Sequence, residues 1–128
     1  MSYYITKTVD GDFTAVICQL TDELKKVGFG IITTIDVSAT LKEKIGADFK
    51  PYTILGACNP HFAHEALKLE EMLGVLLPCN VVVIDQGNGR IQVAAMEAMS
   101  AMSAIGNEAL TSLAAGVSER IESVIRAL

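Results

Sequence analysis

The stretch Val81-Val82-Val83-Ile84-Asp85-Gln86-Gly87-Asn88-Gly89-Arg90-Ile91-Gln92-Val93-Ala94-Ala95 decides how the chain is built. The continuous β-branched run Val81 to Ile84 reads as a strand covered on both faces or set at a sheet centre. Asp85 to Gly89 is dense in turn formers, and Arg90 to Ala95 reads as the next strand. Strands joined this tightly form an antiparallel hairpin.

Upstream of the hairpin, Tyr52 to Ala57 is a strand entered through Pro51. Asn59-Pro60 is a helix start, because Asn caps and Pro is preorganised for the first helical position. This helix is expected to reach about Leu73 and stop at Gly74, with Val75 to Pro78 as an extended return. Further back, Tyr3 to Val9 is a first strand and Asp12 caps a helix. Phe13, Val16, Ile17, Leu20, Leu24 and Val27 form its apolar stripe, and Gly28 and Gly30 end it. Phe29 to Val37 alternates with period two, as a strand does. Thr40 and Glu43 have capping-box spacing, which predicts a short helix closed by Gly46.

Downstream the chain turns helical. Glu97 to Ile105 is one short segment, broken at Gly106-Asn107. Leu110, Leu113, Ala114, Val117, Ile121, Val124, Ile125 and Leu128 then repeat at helical spacing. Between Ile91 and Ser118 the only charges are Glu97 and Glu108. So uncharged a stretch is either deeply buried or a subunit contact, and the reading favours a homodimer contact.

The 128 residues suit one domain spanning 1–128. Hydrophobic residues make up 51% and charged residues 20%, which excludes intrinsic disorder. A net charge of −5 leaves no basic patch for nucleic acid, and no basic run suits an anionic membrane surface. No signal-peptide pattern and no membrane-length apolar run is visible, so the expected location is cytoplasmic. Three cysteines, Cys18, Cys58 and Cys79, are an odd number, as expected where thiols stay free.

Cys58 lies where a strand gives way to a helix, and a helix N-terminus favours a thiolate. The competing reading is a small buried residue at a tight corner. Cys79 opens the next strand. A helix from Pro60 to Leu73 would carry the chain about 21 Å away. The steps back to Cys79 recover at most about 17 Å. The two sulfurs meet only if the return doubles back, so a disulfide or shared thiol site is not favoured. Cys58, His61 and His64 have spacing compatible with a soft or borderline metal, but a further ligand is missing. Met96, Met99 and Met102 read as packing residues. Asp36 and Lys44 are isolated charges in apolar surroundings that suit either a polar ligand or ordinary surface roles. No phosphate loop, nucleophile elbow or catalytic triad is present, and no cofactor is implied.

Two motifs carry a family resemblance. Leu55-Gly56-Ala57-Cys58-Asn59-Pro60 with Ala63 and Ala66-Leu67, then Leu76-Leu77-Pro78-Cys79-Asn80-Val81, resembles the domain-of-unknown-function family three-hundred-and-two. Asp36-Val37, Thr40-Leu41-Lys42 and Lys44 are similar to that family's central segment. The resemblance implies an α+β fold of two layers, similar to the TATA-binding-protein-like class. Its curved, largely antiparallel sheet of about five strands is backed by helices. It also implies a small, usually dimeric protein, and it implies no activity. Its motif residues fall here on Asp36, Lys44, Cys58, Asn59, Pro60, Pro78, Cys79 and Asn80. The family often has Asp-Pro where this chain has Glu97-Ala98, and Asn-Pro where it has Asn107-Glu108.

The expectation is a homodimeric module that binds a small molecule or partner, paired through Ile91 to Ser118. Its candidate site is Asp36, Lys44, Cys58, Asn59, Cys79 and Asn80. The alternative is a thiol-redox or soft-metal protein using Cys58 and Cys79.

Overall fold

The structure, a computed structural model, describes residues 2–128. It is an α+β fold with an open five-stranded sheet. The strands are β1 (Tyr4–Asp10), β2 (Gly30–Asp36), β3 (Tyr52–Cys58), β4 (Cys79–Asp85) and β5 (Arg90–Met96). Their spatial order is β1-β5-β4-β3-β2, with every neighbouring pair antiparallel. The hairpin read from Val81 to Ala95 is therefore the sheet's centre, with Val83 opposite Val93.

The helices are α1 (Phe13–Lys26), α2 (Val37–Ile45), α3 (Pro60–Leu69), α4 (Ala98–Ser103) and α5 (Glu108–Ala127). Side-chain caps start each of them. Asp12, Asn59, Glu97 and Asn107 accept from the backbone N–H groups of the first turns they precede. The two departures from the family pattern, at Glu97-Ala98 and Asn107-Glu108, thus keep their caps without proline. The α2 helix starts earlier than the Thr40–Glu43 spacing suggested. Asp36 caps it, because its carboxylate accepts from Ala39 N–H at 2.9 Å.

Period-two alternation gives the sheet two unlike faces. Leu55, Ala57, Val81, Val83, Ile91, Val93 and Ala95 point into the core with Leu20 and Leu24 of α1 and Ile121, Val124 and Ile125 of α5. Lys7 also lies on this side of β1. Its ammonium donates to the Arg126 and Leu128 carbonyls at 3.0 and 3.1 Å, where the C-terminal end of α5 carries partial negative charge.

The connection from α3 to β4 differs from the expectation. The α3 helix stops at Leu69, and Glu70 takes an extended conformation. A 3-10 helix, Glu71–Leu76, then replaces both the last helical turn and the extended return. The bend drives Leu73 into the core, where it is 1% exposed, and leaves Met72 and Val75 in solvent. The chain doubles back over α3 and delivers β4 beside β3.

Gly56 is the close-packed point of that join. A Cβ there would sit 2.1 Å from the Thr33 hydroxyl and 2.7 Å from the Pro78 ring. The threonine can rotate away, but the proline ring is held by the chain. Gly56→Ala is expected to destabilise the fold by about 1–3 kcal/mol, as overpacking does. Denaturant unfolding measures it, and an unchanged midpoint would contradict the packing described.

Candidate functional site

The doubling back creates a cavity of about 370 Å³ at the end of β3 and β4. Ala57, Cys58 and Cys79 contribute from the strands. Phe62, Ala63 and Ala66 wall it from α3, Leu73, Leu77 and Pro78 from the return, and Met102 from α4. Leu110, Leu113, Ala114 and Val117 of α5 complete it. Small residues at helical spacing on α3 and α5 leave the space. Apart from Asn59 and the two thiols, the side chains that line it are apolar, and none is ionised. Arg120 lies outside the lining. It donates to the Val27 carbonyl at 3.0 Å and stacks over the Phe62 ring at 5.0 Å, which steadies that wall.

Cys58, Asn59 and Cys79 come together at this cavity. The bend makes good the distance that a longer helix would have opened, because Ala57 faces Cys79 across the β3–β4 ladder. Both thiols are free. Burial pushes the Cys79 thiol up to about 11, with the neighbouring Cys58 adding to the rise. Cys79 is therefore a neutral thiol at physiological pH, which is the opposite of an activated nucleophile. Asn59 is 7% exposed. Its Oδ1 accepts from His61 N–H at 3.1 Å and Phe62 N–H at 3.2 Å, so it is the cap of α3.

The other candidates lie elsewhere. Asp36 is exposed, and the Ala39 backbone N–H and then the Ser38 hydroxyl hold its carboxyl below the usual range. Lys44 is exposed on α2. Neither reaches the cavity. Asn80 faces the opposite side of the sheet, in a shallow groove with Tyr52, Val82, Gln92 and Ala94. His61 and His64 are exposed on α3. Among the described residues no three His, Cys, Asp or Glu side chains group as metal ligands, so the Cys58–His61–His64 spacing does not assemble a site. Met102 is buried and lines the cavity, whereas Met96 and Met99 are half-buried.

The low charge of Ile91 to Ser118 is largely explained by burial within one chain. Ile91, Val93, Ala95, Ala98, Met102, Leu110, Ala114 and Val117 are all core residues. Of this segment's strand, only the outward side chains such as Gln92, Ala94 and Met96 remain partly accessible. The apolar walls Phe62, Leu73 and Leu113 were missed as site residues. The Ala63, Ala66 and Ala114 spacing was the signal that could have marked the space they enclose.

Fold and site together define a small two-layer α+β domain with an apolar cavity between its sheet end and its helices. Residues 5–128 match the family described as domain of unknown function DUF302, and the chain belongs to that family. No curated protein matches it. Among solved structures it is similar to an uncharacterized conserved DUF302 protein from Bacillus stearothermophilus. That structure shares 30% identity over 98% of each chain, with a TM-score of 0.90. Among the described residues no helix is long and apolar enough to cross a membrane.

The neutral state of Cys79 is testable by alkylation of the folded chain followed residue by residue by mass spectrometry, which separates Cys79 from the exposed Cys18 and from Cys58. Its rate is expected to rise about tenfold per pH unit from neutrality towards pH 11, following the thiolate fraction. A plateau below pH 9 would contradict the burial argument.

Proposed function

We propose that the chain is a binding module for a small, neutral, largely apolar ligand held in the cavity beneath α3. The observation that carries this is a lining of apolar side chains with no ionised group. Its volume lies within the range of ligand pockets. Burying a carboxylate or ammonium there would cost several kcal/mol without a partner. Released apolar surface contributes roughly 25 cal/mol per Å². The Cys79 thiol in the lining is held neutral by burial, which favours binding over turnover.

Thermal shift with size-matched compounds tests it. A neutral apolar binder at a hundredfold excess over its Kd is expected to raise the melting temperature by on the order of 10 °C. The corresponding carboxylates are expected to leave it unchanged. Ala63→Phe, which fills the space from α3, is expected to abolish the shift while the chain stays folded. Stabilisation that survives this substitution would place the ligand elsewhere.

A second reading, thiol-redox or soft-metal chemistry, is favoured by one observation: Cys58 and Cys79 line the same cavity. The raised Cys79 thiol weighs against it.

Self-association belongs to the proposal, moved to the accessible side of β5. Gln92, Ala94 and Met96 lie there with Tyr4, Tyr52, Val82 and Ile84 in a groove without a charged side chain. A two-fold contact sets a patch against its own copy, so neutrality suits it. Sedimentation at low concentration is expected to give a dimer, and Ala94→Arg a folded monomer. A monomeric wild-type chain would refute the pairing.

A further inference from the structure

We infer that the ligand of this cavity is an amphiphile bound in one orientation, with its apolar end against α4 and α5 and a neutral hydroxyl-type head at a mouth between Ile32 and Leu67. The inference rests on the ligand-binding reading above and names the chemical class that reading leaves open.

The cavity has one open end. Of the residues that line it, only Ile32 at 62% and Leu67 at 39% are exposed. Ile32 belongs to β2, an edge strand of the sheet, and Leu67 to α3. The mouth therefore opens beside the β2 edge. The placement of Ile32 has a local cause. The β2–β3 register shifts between Ile31 and Thr33, which leaves Ile32 as the extra residue of a β-bulge. A bulge re-aims the side chain it carries.

The other end is closed. Ala98 and Met102 of α4 and Leu110 of α5 line the cavity there, and all three are buried. Between the two ends, Ala57 of β3 and Cys79 of β4 contribute to the wall. The space thus crosses the sheet from β2 to the helix that follows β5. Three strand spacings of about 4.8 Å make that roughly 14 Å. A long space open at one end orients what enters it. An apolar end beside Ala98, Met102 and Leu110 leaves water for apolar neighbours, whereas a hydroxyl there is stripped of water among them. At the mouth a hydroxyl keeps water on its open side. Ile32 and Leu67 still displace part of its shell, a loss that a neutral head bears far more cheaply than an ion.

1-Octanol and 1,8-octanediol share a chain and differ by one terminal hydroxyl, so they serve as probes of the wild-type protein. In the 1-octanol complex, intermolecular NOEs are expected from the hydroxymethyl protons to the Ile32 and Leu67 methyls. NOEs from the terminal methyl are expected to reach Met102 and Leu110. Kd values for both probes are measured by ligand-observed NMR. The diol is expected to bind about tenfold more weakly, because its second hydroxyl must enter the closed end. The reverse NOE pattern, or both patterns together, would overturn the orientation. Equal Kd values would overturn the closed end, and the inference with it. Failure of 1-octanol to bind where 1-tetralone binds would overturn this inference alone. Failure of both would overturn the ligand-binding reading itself.

Discussion

Ala57 faces Cys79 and Gly56 faces Asn80 across the β3–β4 ladder, and the site depends on that register. It is held by sterics as much as by hydrogen bonds. Thr33 of the edge strand and Pro78 of the return crowd the same glycine from two directions. A slip by one residue would turn Leu55 and Ala57 out of the core and put Gly56 into it. It would also separate the Cys58-Asn59-Pro60 corner from Pro78-Cys79. With the register fixed, α3 must leave β3 and return to β4 within a short excursion. The space between that excursion and α5 is the cavity.

The same constraint explains the chemistry of the wall. A strand-to-helix corner needs a cap, and Asn59 fills the role with its oxygen. A half-buried strand start beside the cavity suits a small residue, and Cys79 fills that role as a neutral thiol. Groups that the fold requires for local reasons thereby become the polar features of an otherwise apolar enclosure. The exposed Asp36 has a local role too, as the cap of α2, and takes no part in the enclosure.

Much of this was legible in the residues. Period-two and helical spacing locate every strand and α-helix to within a few positions, and the Val81–Ile84 run, read as a strand covered on both faces or set at a sheet centre, is the central strand β4. Both cysteine motifs were recognised, but not their meeting. That meeting depends on Glu70 breaking α3 early, and no glycine or proline marks that break. Leu73 was read as the last residue of a helix. Its burial by a 3-10 turn is a tertiary choice that overrides local helical preference. The uncharged run from Ile91 to Ser118 posed a true ambiguity, since burial and subunit contact leave the same composition. The strand order resolves much of it by placing β5 between β1 and β4. An enclosed space leaves only an indirect mark in a sequence, here the alanines that stop short of filling it.

The central claim is that the cavity beneath α3 is a site for a neutral apolar ligand. Methyl NMR of the folded chain during titration with 1-tetralone tests it most directly. Shifts are predicted at Leu73, Leu77, Leu110, Leu113 and Val117, which face the space from the return and from α5, with the exposed Ile45 and Val75 methyls unmoved. Shifts confined to exposed methyls, or none at saturating ligand, would contradict the account.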